Sequence, residues 1–220
     1  MLLVAPRPGE RTRAGPFHGS ADALAIAELA GKVRPSCPIL TITADAASAQ
    51  RLKTEITFFA PALKTCVYPD WETLPYDTFS PHADLVSERL ATLYQITQQA
   101  FDIVVVPVTT ALYRLTPLEY LAARTFFFKQ GEKLAGDELR KQLTIAGYSH
   151  VKQVLTPGEY SFRGGIIDLF PMGSALPYRI DLFDDEIESI RSFDVDTQRS
   201  IYKVNEVRLL PAREFPLDED

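Results

Sequence analysis

Apolar residues recur at helical spacing over residues 20–33 (SADALAIAELAGKV), with Ser20 placed to cap the start and Gly31 near the stop. A short branched run, PILTIT at residues 38–43, reads as a buried strand. The same alternation continues along the chain. It predicts a helix over 46–59, a strand over 65–68, a helix over 84–99 and a strand over 101–107 (FDIVVVP). One or two helical turns over 109–115 follow, halted before Pro117. Helix and strand in strict turn imply a mostly parallel sheet, because parallel neighbours need crossover helices.

The period shortens near residue 120. A strand over 126–129 and one helix over 135–146 precede six expected strands, at 151–155, 160–163, 165–170, 178–183, 186–193 and 204–209. Pro157-Gly158, the stretch 171–173, Asp184-Asp185 and Asp196 punctuate them. Strands joined by such short turns form an antiparallel sheet, and Asp184-Asp185 between two alternating runs marks a hairpin. The pattern therefore predicts an α/β lobe with a parallel sheet over residues 1–119. A small α+β domain with a curled antiparallel sheet follows over 120–216, and the final PLDED is expected to fray.

Composition narrows the partners. The formal net charge of the 220 residues is −6. A domain that grips a nucleic-acid backbone carries a basic surplus, which is missing here, so an acidic protein-binding module fits better. Cys37 and Cys66 have no metal-ligand spacing and read as two reduced, mostly buried thiols. The opening MLLVAPRPGERTR lacks the apolar core of a signal peptide, and no apolar run approaches the ~20 residues that cross a bilayer. The expectation is a cytoplasmic chain without membrane contact.

Candidate chemistry is sparse. The turn before the first helix, GPFHGSADALAI, sits where α/β proteins bind phosphate. A phosphate loop needs G-x-x-x-x-G-K-[ST]. Here Gly19 is followed by Ser20, Ala21 and Asp22, the Lys and hydroxyl pair are missing, and the Gly15 to Gly19 spacing is one residue short. Gly19, Ser20, Ala21 and Asp22 thus form at most a degenerate nucleotide site. His18, His82 and His150 lie far apart and read as turn or surface residues. The acidic run 181–188 (DLFDDEIE) reads as a solvated hairpin tip before it reads as a metal site. Tyr68, Trp71, Tyr76 and Phe79 stand among three prolines in residues 68–81, which predicts an ordered loop packed on its own domain.

The remaining signal is GEYSFRGGIIDLF at 158–170 with PYRIDLFDDEIESIRSFD at 177–194. Arg163 and Arg179 stand on neighbouring strands, with Phe183 beside Asp184 and Glu186. Exposed Arg and aromatic residues anchor protein interfaces. From pattern alone, a docking face and a structural salt-bridge ladder fit equally well.

These blocks, with DWETLPYDTFSPHADLVSERLATLYQ and LLPAREFP, resemble the bacterial transcription-repair coupling factor family over residues 17–216. The second block resembles domain 2 of the excision-repair protein UvrB more loosely. The resemblance implies an amino-terminal, UvrB-like module: a degenerate helicase-like (P-loop-type) lobe followed by a UvrB domain 2-like domain that binds UvrA. The UvrA-binding positions implied are Arg163, Arg179 and Phe183, with Asp184 and Glu186 as charged neighbours. It also implies a much longer protein whose other domains engage RNA polymerase and translocate DNA with ATP and magnesium. This stretch itself is expected to have no catalytic residue, metal or cofactor. A carboxyl-terminal domain of the longer protein is implied to mask the same face in an autoinhibited state. A nucleotide- and DNA-binding lobe of UvrB type, and a purely autoinhibitory lobe, remain the alternatives.

Overall fold

A computed structural model describes residues 3–34, 36–73, 78 and 81–215. Tyr76, Phe79 and the terminal PLDED, to which the sequence assigns loop and tail roles, lie outside the described residues. The chain divides into two compact units, Met1–Asp70 with Thr92–Tyr113, and Trp71–Ala91 with Arg114–Asp220.

In the first unit, α1 (Ala21–Val33), β1 (Ile39–Thr43), α2 (Ala46–Phe59), β2 (Thr65–Val67) and β3 (Ile103–Pro107) alternate as the apolar periods require. The three strands pair in parallel in the order β1-β3-β2, so β3 is central. Every residue of β3 is buried, which is why it reads as an unbroken apolar run. Ala23, Ala27 and Ala30 of α1 pack with Ala49, Leu52 and Ile56 of α2 on Ile103 and Val105. Small alanines let the helices approach closely. Asp45 caps α2, its carboxylate accepting from the Ser48 amide at 2.6 Å. The expected Ser20 cap differs: its side chain makes no capping bond, and its carbonyl simply accepts the Leu24 amide. The expectation of two buried thiols also needs correcting, since Cys66 is buried and Cys37 is exposed. Burial pushes the Cys66 thiol up to about 12.

Helix α3 (Ala83–Thr97) has residues in both units; α4 (Val108–Ala111) belongs to the first and α5 (Leu118–Ala123) to the second. The second unit continues with β4 (Phe126–Lys129), α6 (Gly136–Ile145), β5 (Ser149–His150), β6 (Glu159–Arg163), β7 (Ile166–Leu169), β8 (Tyr178–Phe183), β9 (Glu186–Phe193), β10 (Ser200–Val204) and β11 (Glu206–Leu209). Six of these strands form one sheet ordered β10-β9-β8-β7-β6-β5, antiparallel except for the β5–β6 pair. β11 pairs with β4 in a separate two-stranded sheet.

Two expectations change. No strand spans 151–155: the Glu159 carboxylate takes the Leu155 and Thr156 amides at 2.8 and 3.0 Å, and Val154 turns inward against Phe170 and Phe193. A side-chain cap replaces the ladder there. The strand expected at 204–209 breaks at Asn205, leaving β10 on the large sheet and β11 on the small one.

One face of the large sheet is apolar, with Ile167, Ile180, Ile187 and Ile190 buried. Helix α6 lies over this face. Its Arg140 stacks 4.5 Å over the Phe162 ring, and its Thr144 hydroxyl meets the Tyr160 hydroxyl at 3.4 Å. Where the aromatic loop is described, Trp71 packs not on the lobe expected over 1–119 but on residues of the second unit, to which it belongs. The Trp71 indole donates to Glu214 at 2.8 Å, and Arg89 stacks on its ring at 4.8 Å. Arg89, fully buried, pairs with Glu214 at 2.6 Å. Among the described residues, no helix is long and apolar enough to cross a membrane.

Candidate functional site

The opposite face of the large sheet carries charge. Register puts Asp168 of β7 opposite Arg179 of β8, which is opposite Arg191 of β9. In the next row, Arg163 of β6 faces Ile166, which faces Asp181, which faces Ser189. Alternation along β8 then brings Arg179, Asp181 and Phe183 to this same face.

Two tight turns hold the rows in place. Arg163 and Ile166 flank Gly164-Gly165. Gly164 has φ 61°, and a Cβ on Gly165 would sit 2.9 Å from the Leu182 carbonyl oxygen. The first glycine supplies the left-handed turn and the second the close approach of β8, whose Leu182 amide donates to Gly165 at 2.7 Å. Across the sheet, Phe183 pairs with Glu186 over the Asp184-Asp185 turn, with Asp184 at φ 52°. Asp tolerates that conformation better than most side chains. Both aspartates are exposed, as expected for a solvated tip.

The charges are organised by a residue that the sequence reading passed over. Asp168 is 1% exposed, and its carboxylate takes Arg179 Nε at 2.6 Å and Nη2 at 3.0 Å, and also Arg163 Nη2. The hydrogen bonds that Arg179 donates to the Asp168 carboxylate raise its guanidinium above its ordinary value. Arg179 also donates Nη1 to the Gln198 carbonyl at 3.2 Å and stacks 4.8 Å over Phe193. A second carboxylate, Asp181, accepts from Ser189 and Arg191 at 2.6 Å each. The salt-bridge ladder is therefore real, and Arg179 is deep inside it. Phe183 stands apart at 71% exposure, beside partly exposed Ile166. A lone carboxylate within the apolar run IIDL was the available signal for Asp168. A charge on an otherwise apolar strand demands a partner on the same face.

The candidate phosphate turn is built differently. Gly19 has φ 58°, and Ser20 and Ala21 lead into α1. The Asp22 carboxylate accepts the Ala23 amide at 2.8 Å and pairs with Arg51 Nη2 of α2 at 2.7 Å. That Arg51 bond holds the Asp22 carboxyl below its usual value. A negative group, not a lysine, occupies the first turn. Among the described residues, no three His, Cys, Asp or Glu side chains are grouped to hold a metal ion.

A family model described as the UvrB interaction domain matches residues 126–215, the stretch from β4 to just past β11. The chain is 47% identical over 213 residues to the transcription-repair-coupling factor of Escherichia coli (strain K12), covering 97% of this chain and 18% of that protein. It is 44% identical over 216 residues to that of Haemophilus influenzae (98% of this chain, 19% of that protein). Against that of Bacillus subtilis (strain 168) it is 34% identical over 199 residues (90% and 17%). The chain thus spans less than a fifth of the length of these relatives. Matched along nearly all of its own residues, the chain belongs to the transcription-repair-coupling factor family, of which it spans a segment containing a UvrB interaction domain.

Proposed function

We propose that the charged face of the six-stranded sheet docks UvrA, so that this segment recruits the excision machinery in transcription-coupled repair. The observation that carries this reading is Phe183: a large aromatic, 71% exposed, on a face otherwise locked into ion pairs. Such a ring on a rigid support is the usual anchor of an interface, because little side-chain entropy is lost when it is buried. Arg163, Asp184 and Glu186 surround it with polar groups that set register.

In this reading the first unit is a helicase-type lobe without nucleotide chemistry. The Asp22–Arg51 pair at the start of α1 supports that part, since a carboxylate there repels phosphate. The longer protein supplies the ATP-driven translocase and the polymerase contact, and its carboxyl-terminal domain covers the docking face until the factor is engaged.

Titration of the 220-residue chain against purified UvrA tests the proposal. Wild type binds, and Phe183→Ala weakens binding by on the order of 2 kcal/mol or more, roughly thirtyfold in affinity. No binding by a folded wild-type chain would overturn the recruiting function. Equal affinity in the variant would overturn the assignment of the face.

A further inference from the structure

We propose that a groove in the second unit, between α3 and the turn after β7, holds the side chain of an arginine from the longer polypeptide outside these residues. The groove shares no residue with the docking face, so it does not depend on that reading. Asp84, Ser87, Glu88 and Ala91 recur at i, i+3, i+4 and i+7 along α3 and line it from one side. Pro157, Phe170 and the turn 173–175 line it from the other. Its volume is about 350 Å³, at the small end of the ~300–1,000 Å³ of ligand sites. That is room for one long side chain.

The walls are fixed before anything binds. The Ser87 hydroxyl accepts the Gly173 amide at 2.7 Å, which ties the turn to α3. Gly173 has φ 79°, and a Cβ there would lie 2.9 Å from the Ala91 Cβ and 3.1 Å from Leu210 Cδ1. Glycine permits both the turn and the close approach. Ser174 Oγ donates to the Leu176 carbonyl at 2.8 Å and holds the rest of the turn. Phe170 is backed by Val154 and Phe193. A rigid groove loses little conformational freedom when it is filled.

Charge selects the occupant. Phe170, Pro157 and Ala91 give an apolar wall, and Asp84 and Glu88 are exposed beside it. No Lys or Arg lines the groove. Two acids at i,i+4 work against the helix that carries them. Asp84 has the His82 imidazole at 3.2 Å, whereas Glu88 makes no ion pair or hydrogen bond among the described residues. An apolar wall ending in an unpaired carboxylate matches a side chain with an apolar stem and a cationic head. A guanidinium meets such a carboxylate with two bonds. A single side chain in an open groove binds weakly, and tethering offsets this by raising its effective concentration. The chain spans less than a fifth of its relatives, which places the occupant on the same polypeptide.

Titration by amide NMR tests the chemistry. The 220-residue chain is given N-acetylarginine amide or its uncharged isostere N-acetylcitrulline amide. The arginine compound shifts residues 84–91 and 170–175 and leaves the others in place. The citrulline compound binds roughly tenfold more weakly, and Glu88→Gln abolishes that difference. Because Glu88 is exposed and unpaired, this variant folds as wild type does. Equal shifts from both compounds, or shifts scattered over the surface, would overturn the charge-selected groove. Deuterium uptake tests the source. In the longer protein, residues 84–91 and 170–175 exchange more slowly than in the 220-residue chain, and Glu88→Lys returns them to the faster rate. Equal uptake in the two lengths, or slowing that survives Glu88→Lys, would overturn the assignment to the same polypeptide.

Discussion

The two units place their charge differently. In the first, the parallel sheet is built from apolar runs, and the ion pairs ride on the surface: Arg51 with Asp22 and Glu55, all partly exposed. In the second, charge goes inside. Arg89 meets Glu214 with both side chains nearly inaccessible, and Asp168 lies under two arginines on one face of the large sheet. An antiparallel sheet can afford this because its faces are independent, one given to the core and the other to solvent. The buried pairs are costly to desolvate and are kept where they fix geometry. Burying charge therefore marks the unit in which ion pairs fix side-chain geometry.

The largest expected effect breaks that contrast at its deepest pair. Glu214→Ala removes the buried carboxylate that Arg89 and the Trp71 indole share. Unfolding free energy should drop by about 3–5 kcal/mol, measured by denaturant melts followed through Trp71. The matching change in the first unit, Asp22→Ala, removes a partly exposed ion pair and the bond from the Ala23 amide, and should cost about 1 kcal/mol. Equal losses would erase the distinction between the units.

Next come the two faces of the large sheet. Ile180→Ala, on the buried face, should cost about 2–5 kcal/mol of stability. Phe183→Ala, on the exposed face of the same strand, should change stability by no more than about 0.5 kcal/mol while losing partner affinity. A large stability loss at Phe183 would mean that its ring packs on its own chain.

Acid sharpens the comparison further. Asp22, held low by Arg51, and Asp45 and Asp194, held low by the amides of Ser48 and Thr197, all titrate below their ordinary value of 3.8 in the folded chain. Depressed carboxyls contribute stability above the unfolded value and lose it as pH falls through the folded one. Melting temperature should hold from pH 7 to about pH 5 and decline below about pH 4. A melting temperature that stays flat down to about pH 2 would contradict this.

The smallest expected effect is none. Mg-ATP should leave the melting temperature unchanged, because a ligand that binds only the folded chain must raise it. A clear rise would return the first unit to nucleotide chemistry.

Much of this was legible in the chain. The central β3 declared itself by five apolar residues in a row, and the β8–β9 hairpin by alternation around Asp184-Asp185. β10 was silent because four of its five residues are exposed, so no alternation marks it. The strand expected at 151–155 failed because Glu159 satisfied its amides locally. At the candidate site, Arg163, Arg179 and Phe183 stood out by residue type. The sequence did not separate their roles: Arg179 enters the ladder through a carboxylate eleven positions away, and only pairing register shows it.

Hydrogen exchange of the chain with and without UvrA tests the central claim most directly. The account predicts added protection at the Gly164-Gly165 and Asp184-Asp185 turns and along the exposed face of β8, with α6 and the first unit unchanged. Protection concentrated on α6, or on α1 and α2, would contradict it.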